Sequence, residues 1–182
     1  MLLTISFNDL KAIFNDDWDI GYLSPENLYR CGMHPVKNVS LKNLENYSND
    51  LYYRKVTNAI VLIRKGHTWD YTLYDEACGI LHNAGILNCW MIHTNFKEAA
   101  ILAGLGVRAR NALIYSYKFG FDHHICAFRF EDEITDIPTD KRINYKIWNR
   151  CLDCDDCAKA CPAGAIHNEG EPFSWWINSS AC

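Results

Sequence analysis

Four closely spaced cysteines near the C-terminal end of the chain constrain it more than any other feature. The stretch NRCLDCDDCAKACPAGAI places Cys151, Cys154, Cys157 and Cys161 within eleven residues, in the spacing C-x2-C-x2-C-x3-C, and Pro162 follows directly. Thiolates at this spacing bind bacterial-type [4Fe–4S] clusters. Cysteines two residues apart can curve around one corner of a cluster, and the proline turns the chain away because it fixes φ and lacks an N–H. The spacing therefore predicts an iron–sulfur site.

Zinc is the alternative metal for four clustered thiols. Structural zinc sites pair two C-x2-C elements across a longer gap, often with histidine. The cysteine run here has no such gap. We therefore favour the iron–sulfur interpretation over zinc, and both over a disulfide pair.

The fourth cysteine of the run indicates that further ligands are needed. In two-cluster ferredoxins this cysteine ligates the other cluster, so the first three would hold one cluster and Cys161 would begin a second. Cys182 is the candidate partner of Cys161, and we expect the missing thiolates in sequence beyond it. Three cysteines in apolar runs are the alternative ligands, although such cysteines are more often core residues: Cys78, Cys89 and Cys126.

Acidic residues surround these thiols. Asp153, Asp155 and Asp156 stand among the cysteines against a single Lys159. Negative charge near a cluster disfavours its reduced state and predicts a low reduction potential. The alternative is that the aspartates only solvate an exposed loop, and both roles are compatible.

Composition limits the class of protein. The chain has 182 residues, of which 49% are hydrophobic and 13% aromatic, and this favours a packed globule over disorder. The net charge of −4 gives no basic field for bulk nucleic-acid binding. No apolar run approaches the roughly 18 residues of a membrane span, and the N-terminus lacks the basic start of a signal peptide. We expect a cytoplasmic protein whose nine cysteines are reduced thiols or metal ligands.

Apolar periodicity alternates between helix and strand along most of the chain. Helical spacing and capping residues predict helices at 6–15, 24–32, 40–47, 70–85 and 95–106. Short apolar runs predict strands at 59–63, 86–92, 111–117 and 123–130. This alternation implies an α/β layered domain at 1–145, with 131–142 as a polar link. The metal itself would hold together a separate segment at 146–182.

The last half of the chain resembles a known catalytic core, that of the epoxyqueuosine reductases and the corrinoid reductive dehalogenases. Those proteins carry an Ala-Gly-Leu-Gly turn, a Gly-Lys-Asn-like step, an apolar strand ending near Phe/Tyr-Gly, a Thr-Asp-x-Pro stretch and the four-cysteine run. The matching residues are Ala103–Gly106, Arg110–Asn111, Leu113–Ile114, Phe119–Gly120, Thr135–Pro138 and the four cysteines. The resemblance covers about residues 93–182.

The resemblance implies a nitroreductase-like α/β core that seats a corrinoid such as cobalamin, with a ferredoxin-like segment that supplies single electrons. It implies cofactor contacts from six residues: His93, Ala103, Gly104, Gly106, Arg110 and Asn111. A helix C-terminus explains the two glycines equally well, and a surface position is the alternative for the histidine.

Two positions depart from that pattern. Ala109 stands where the family has a glycine, and Trp90 stands near the position of the acidic proton donor of the reductases. Asp70 is the candidate substitute donor, with a helix N-cap as its alternative role.

Two functions are consistent with these features. One is an oxidoreductase resembling epoxyqueuosine reductase, which takes electrons from a donor such as ferredoxin or flavodoxin and reduces a small molecule or a modified nucleoside. The other is a non-catalytic electron-transfer or accessory protein, whose α/β part only scaffolds the cluster.

Overall fold

The computed structural model describes residues 4–32, 58–66, 72–92, 94–138, 143, 147–167, 177–178 and 180–181. In these ranges the strands are β1 Thr4–Ser6, β2 Trp18–Leu23, β3 Asn58–Lys65, β4 Cys89–Met91, β5 Gly106–Arg108, β6 Ile114–Ser116, β7 His123–Phe130 and β8 Glu133–Thr135. The α-helices are α1 Phe7–Ala12, α2 Pro25–Gly32, α3 Thr72–Asn83, α4 Phe96–Leu102 and α5 Asp156–Ala160. The helix predicted at 40–47 lies outside the described residues.

A four-stranded antiparallel sheet forms the centre of the fold, in the strand order β2-β3-β7-β4. Every residue of β3 pairs with β7, from Asn58 opposite Phe130 to Lys65 opposite His123. The strands predicted at 59–63 and 123–130 are therefore confirmed. Because successive side chains of a strand point to opposite faces, β3 contributes to both sides of the sheet.

Helices cover both faces of this sheet. Ile60 and Leu62 of β3 pack in one core cluster with side chains of α1 and α3. Ala59, Val61 and Ile63 pack in a second cluster with side chains of α2 and α4. This three-layer arrangement explains why β3 is a continuous apolar run although its sheet is antiparallel, because neither face is exposed to water.

The helix ends lie where the capping residues predict them. The hydroxyl of Ser24 accepts the Asn27 N–H at 3.3 Å before α2, and the side-chain oxygen of Asn95 accepts the Glu98 N–H at 3.2 Å before α4. Gly85 and Gly104, at φ +82° and +76°, follow α3 and α4. Two such helix ends carry the paired hydrogen bonds of a Schellman motif.

Five sequence-based boundaries or roles need correction. The first helix is shorter than 6–15, and the strands predicted at 86–92 and 111–117 are three residues each. The helix predicted at 95–106 ends at Leu102, and Gly106 begins β5. Ile86 is part of the end of α3, since its N–H bonds to the Leu81 carbonyl at 3.0 Å. The supposed link at 131–142 contains β8, which pairs in parallel with β1, and Asp132 is fully buried. Strands β1, β2, β5 and β8 were not predicted. Three of them, β1, β5 and β8, have three residues each and are too short to show a period.

Candidate iron–sulfur segment and its attachment

A β-hairpin attaches the cysteine segment to the core. Strands β5 and β6 pair antiparallel, from Gly106 opposite Ser116 to Arg108 opposite Ile114. The Arg108 carbonyl accepts the Trp148 N–H at 2.9 Å. The indole of Trp148 stacks on the ring of Tyr115, with centroids 3.9 Å apart and planes 13° apart. Phe121 meets the indole edge-on at 5.7 Å. The segment is therefore fixed to the hairpin just before its first cysteine.

Arg110 makes a second attachment, directly to the loop between the cysteines. One guanidinium nitrogen donates to the Cys154 carbonyl at 2.8 Å and to the Asp155 carboxylate at 3.0 Å. The other donates to the Leu152 carbonyl at 3.2 Å. The Arg110 residue is only 9% exposed. Hydrogen bonds from a charged donor are stronger than those between neutral groups, so this one side chain restrains the loop.

Short turns shape the loop around the thiols. A 3-10 turn at Asn149–Cys151 is closed by the Cys151 N–H, which donates to the Trp148 carbonyl at 2.8 Å. Helix α5 carries Cys157, and the backbone becomes extended at Cys161. A bridge between Ile166 and Ile177 closes the far side of the segment. The four motif thiols are free and partly exposed.

The thiols at the two ends of the motif have different electrostatic surroundings. The Cys161 sulfur accepts the Ala165 N–H at 3.3 Å. That N–H, with the N–H groups of Ala163 and neighbouring residues, holds the pKa of Cys161 below its ordinary value. Partial burial raises the pKa of Cys157, and the nearby charges of Cys151 and Cys154 also raise it. The first three thiols therefore interact with one another, and the fourth is surrounded by amide donors.

Soft thiolate donors with amide hydrogen bonds fit the needs of an iron–sulfur cluster. Among the described residues, no three His, Cys, Asp or Glu side chains are placed to hold one metal ion. A [4Fe–4S] cluster does not require such convergence, because each of its thiolates binds a different iron atom. Cys182, the candidate partner of Cys161, lies outside the described residues.

The other predicted site residues fall into three places. Ala103 ends α4, Gly104 forms the turn after it, and Gly106 begins β5. The Asn111 side chain accepts the Leu113 N–H at 3.1 Å inside the hairpin turn. Arg110, which the resemblance assigns to a cofactor, contacts the cysteine loop instead of standing apart from it. Asp70 and His93 lie outside the described residues.

A backbone contact explains one glycine of the Ala-Gly-Leu-Gly turn. A Cβ on Gly106 would lie 2.6 Å from the Tyr115 carbonyl oxygen and 2.7 Å from a methyl group of Ile114. Glycine is therefore required there for the pairing of β5 with β6. The departure at Ala109 is accommodated, since Ala109 is buried and its N–H bonds to the Leu113 carbonyl at 2.8 Å.

Sequence reasoning missed the attachment of the segment through Tyr115, Trp148 and the Arg110–Asp155 pair. The resemblance assigns Arg110 to a cofactor, but the acidic partner that it finds is 45 residues away in the chain. The one available signal was complementary charge, a basic hairpin and an acidic loop. Charge alone does not specify which pair forms.

No protein-family model matches the chain. It is similar to the tetrachloroethene reductive dehalogenases of Desulfitobacterium hafniense and Dehalobacter restrictus, each 38% identical over 73 residues. That match covers 40% of this chain and 13% of either dehalogenase.

Solved structures of epoxyqueuosine reductases share the fold. The Bacillus subtilis protein superposes with a TM-score of 0.54 at 15% identity, over 87% of this chain and 50% of the reductase. The Streptococcus thermophilus protein gives a TM-score of 0.55 at 15% identity, over 90% of this chain and 53% of the reductase. An epoxyqueuosine reductase solved with an epoxyqueuosine-modified tRNA stem loop superposes with a TM-score of 0.50, also at 15% identity. The superposition covers 87% of this chain and 51% of the reductase.

These comparisons establish a mixed α/β fold of the kind found in epoxyqueuosine reductases. The chain spans about half the length of those reductases and 13% of the dehalogenases. None of the helices in the described part of the chain is long and apolar enough to cross a membrane.

Proposed function

We propose that the chain is an iron–sulfur oxidoreductase unit that resembles epoxyqueuosine reductase. Thiolates of Cys151, Cys154 and Cys157 would hold a [4Fe–4S] cluster, and Cys161 would serve a second cluster together with Cys182. Bound there, a cluster supplies single-electron transfer to and from the protein. The observation that carries this proposal is the four-cysteine spacing on a loop that Arg110 fastens to the hairpin.

The residues around the loop prepare it for that task. Arg110 restrains the carbonyls of Leu152 and Cys154, so the backbone that carries the Cys154 thiol is held near one conformation before any metal arrives. The stacked rings of Tyr115 and Trp148 cover the start of the loop with apolar surface. Asp155 is paired with Arg110, and the exposed Asp153 and Asp156 leave negative charge on the loop, which supports a low reduction potential.

A corrinoid as the electron acceptor stays a prediction from the resemblance. The described residues assigned to it already have contacts within the fold: Ala103, Gly104 and Gly106 at the end of α4 and the start of β5, Asn111 in the hairpin turn, and Arg110 on the loop. These contacts account for the residues within the fold alone, and no step of our proposal passes through a corrinoid.

The substrate and the donor are proposed by class. One similar reductase has been solved with an epoxyqueuosine-modified tRNA stem loop, and this supports a modified nucleoside as the substrate class. A small protein such as ferredoxin or flavodoxin would supply the electrons. A cytoplasmic location stays a prediction.

A non-catalytic electron-transfer unit is the second candidate. Two observations favour it: the contacts just described for the assigned cofactor residues, and the absence of a carboxylate at or beside Trp90. The two candidates share the cluster and differ in whether a substrate is reduced.

Metal content tests the iron–sulfur cluster, which both candidate functions share. We expect anaerobically purified and reconstituted protein to be brown and to contain iron and sulfide in equal amounts, at about four of each per bound cluster. Cys154→Ser should remove most of the absorbance and iron, whereas the matched Cys78→Ser, outside the motif, should keep both. Stoichiometric zinc without iron would refute the proposal. Two further assays then separate the candidates: the cobalt content after incubation with cobalamin, and the reduction of an epoxyqueuosine-containing stem loop. The oxidoreductase should reduce the stem loop, and the electron-transfer unit should not.

A further inference from the structure

A cavity of about 450 Å³ opens between α3 and β4, on elements separate from the cysteine segment. Tyr74, Leu87, Trp90 and Phe128 give it largely apolar and aromatic walls. Arg129 lies over the Trp90 ring, with its guanidinium carbon 5.1 Å from the centroid, and so helps to hold the indole in place. A cavity of this size and lining suits one small flat molecule.

Two chemically active side chains of α3 line the same cavity. Cys78 and His82 are one helical turn apart and therefore face the same side of the helix. The Cys78 sulfur lies 3.5 Å from Nε2 of His82 and 3.8 Å from Nδ1. A thiol within hydrogen-bond reach of an imidazole is the arrangement that activates nucleophilic cysteines.

His82 lies in the last turn of the 12-residue helix α3, one turn after Cys78. Its imidazole is the group within reach of the Cys78 thiol that can take the thiol proton. The resulting thiolate is the reactive form of cysteine.

The cysteines buried in the core are different. Cys31, Cys89 and Cys126 are at most 5% exposed. Burial raises the pKa of Cys89 to about 11, with the nearby charges of Cys78 and Asp132 adding to the effect. Burial also raises the pKa of Cys31 to about 12. These core thiols stay protonated and inaccessible, whereas Cys78 is partly exposed.

We propose that Cys78 and His82 form a second reactive site, at which the thiol adds to a flat, apolar electrophile bound in the aromatic cavity. The substrate class is an α,β-unsaturated carbonyl compound carrying an aromatic ring. Asp75 at the cavity edge disfavours anionic compounds. The site is independent of the iron–sulfur proposal and of its outcome.

The addition balances without an oxidant. The Cys78 thiol gives its proton to His82, and the sulfur electron pair forms a bond to the β-carbon. The carbon–carbon π pair moves toward the carbonyl, and His82 returns the proton to the α-carbon. The product is a thioether, and the imidazole is regenerated neutral.

Two matched reagents test the site on the full chain: N-phenylmaleimide and N-methylmaleimide, which share the electrophile and differ in the ring. Peptide mass spectrometry follows each cysteine on its own peptide, so the motif cysteines do not interfere. Rates are divided by those of glutathione. We expect Cys78 to react with N-phenylmaleimide faster than glutathione does. His82→Gln should lower the reaction rate of Cys78 about tenfold. Asn83→Gln, the adjacent exposed residue, is the matched control.

Trp90→Ala tests the cavity. It should lower the ratio of the phenyl to the methyl rate at Cys78, because the ring loses its stacking surface. Slow labelling of Cys89 and Cys126 in every variant reports that the fold is intact. Equal Cys78 rates in the parent and His82→Gln would overturn the thiol–imidazole pair. A phenyl-to-methyl ratio unchanged by Trp90→Ala would overturn the binding role of the cavity.

Discussion

Arg110 donates a hydrogen bond of 2.8 Å to the carbonyl of Cys154, across 44 residues of sequence. The same side chain reaches Leu152 and Asp155, so one guanidinium spans the middle of the cysteine loop. The contact joins the two most distinctive motifs of the sequence, the segment after Ala-Gly-Leu-Gly and the cysteine run. The order of the loop therefore depends on a residue of the hairpin.

Replacing Arg110 by alanine should loosen the cysteine loop while the central sheet stays folded. Loss of the charge-assisted bonds to three backbone and side-chain acceptors should cost the loop about 2 kcal/mol of local stability. In hydrogen exchange, we expect the amides of residues 151–157 to exchange about thirtyfold faster, and those of β3 to be unchanged.

Arg108→Ala is the matched control for that experiment. The Arg108 guanidinium pairs with Glu98 of α4 at 3.3 Å. This variant should leave exchange at residues 151–157 unchanged. Equal protection of the loop in the parent and in Arg110→Ala would contradict the restraining role of Arg110.

Trp148→Leu should weaken the attachment at the start of the cysteine segment. The stack on Tyr115 and the edge contact with Phe121 are together worth about 1 kcal/mol beyond the area they bury. We expect roughly fivefold faster exchange of the Cys151 amide, and Trp148→Phe should recover most of the loss. If leucine and phenylalanine behave alike, the aromatic stack contributes nothing specific.

Local sequence signals predicted the elements whose ends are specified by their own residues. The polar N-caps Ser24 and Asn95 and the stop residues Gly85 and Gly104 act within one turn of chain, so they are visible in the sequence. The continuous apolar strand β3 is recognisable because both of its faces are buried.

Long-range pairing was not predictable in the same way. β1 and β8 are three residues each and stabilise each other across most of the chain, so neither shows a pattern alone. The partner of Arg110 and the stacking of Tyr115 on Trp148 depend on how the hairpin meets the loop. The cysteine spacing predicts metal chemistry, but it does not predict what holds the loop in place.

Gly106→Ala should show whether this glycine serves the fold. An added Cβ would lie 2.6 Å from the Tyr115 carbonyl oxygen, so the hairpin must open. Such overpacking should lower the free energy of unfolding, measured by urea denaturation, by about 1–3 kcal/mol. Gly79→Ala in α3 is the control, since nothing lies within 4 Å of its added Cβ. The Gly79→Ala variant should be more stable than the parent by about 0.5–1 kcal/mol. A Gly106→Ala protein of parental stability would argue against the structural role.

The stability of the fold should fall in alkaline solution because of its buried thiols. Burial, with a contribution from Glu98, raises the pKa of Cys31 from 9.0 to about 12. The unfolded chain therefore loses this proton at lower pH than the folded chain does. The contribution of Cys31 is complete below pH 9 and is lost progressively between pH 9 and 12.

Urea denaturation between pH 8 and pH 10 measures this loss. Cys31 alone should reduce the free energy of unfolding by about 1.4 kcal/mol at pH 10, and Cys31→Ala should flatten the decline by that amount. Leu28→Ala removes a non-ionising side chain from the same helix and core cluster. It should lower stability at every pH and leave the decline unchanged. A decline of equal steepness in Cys31→Ala and the parent would show that this thiol is not the titrating group.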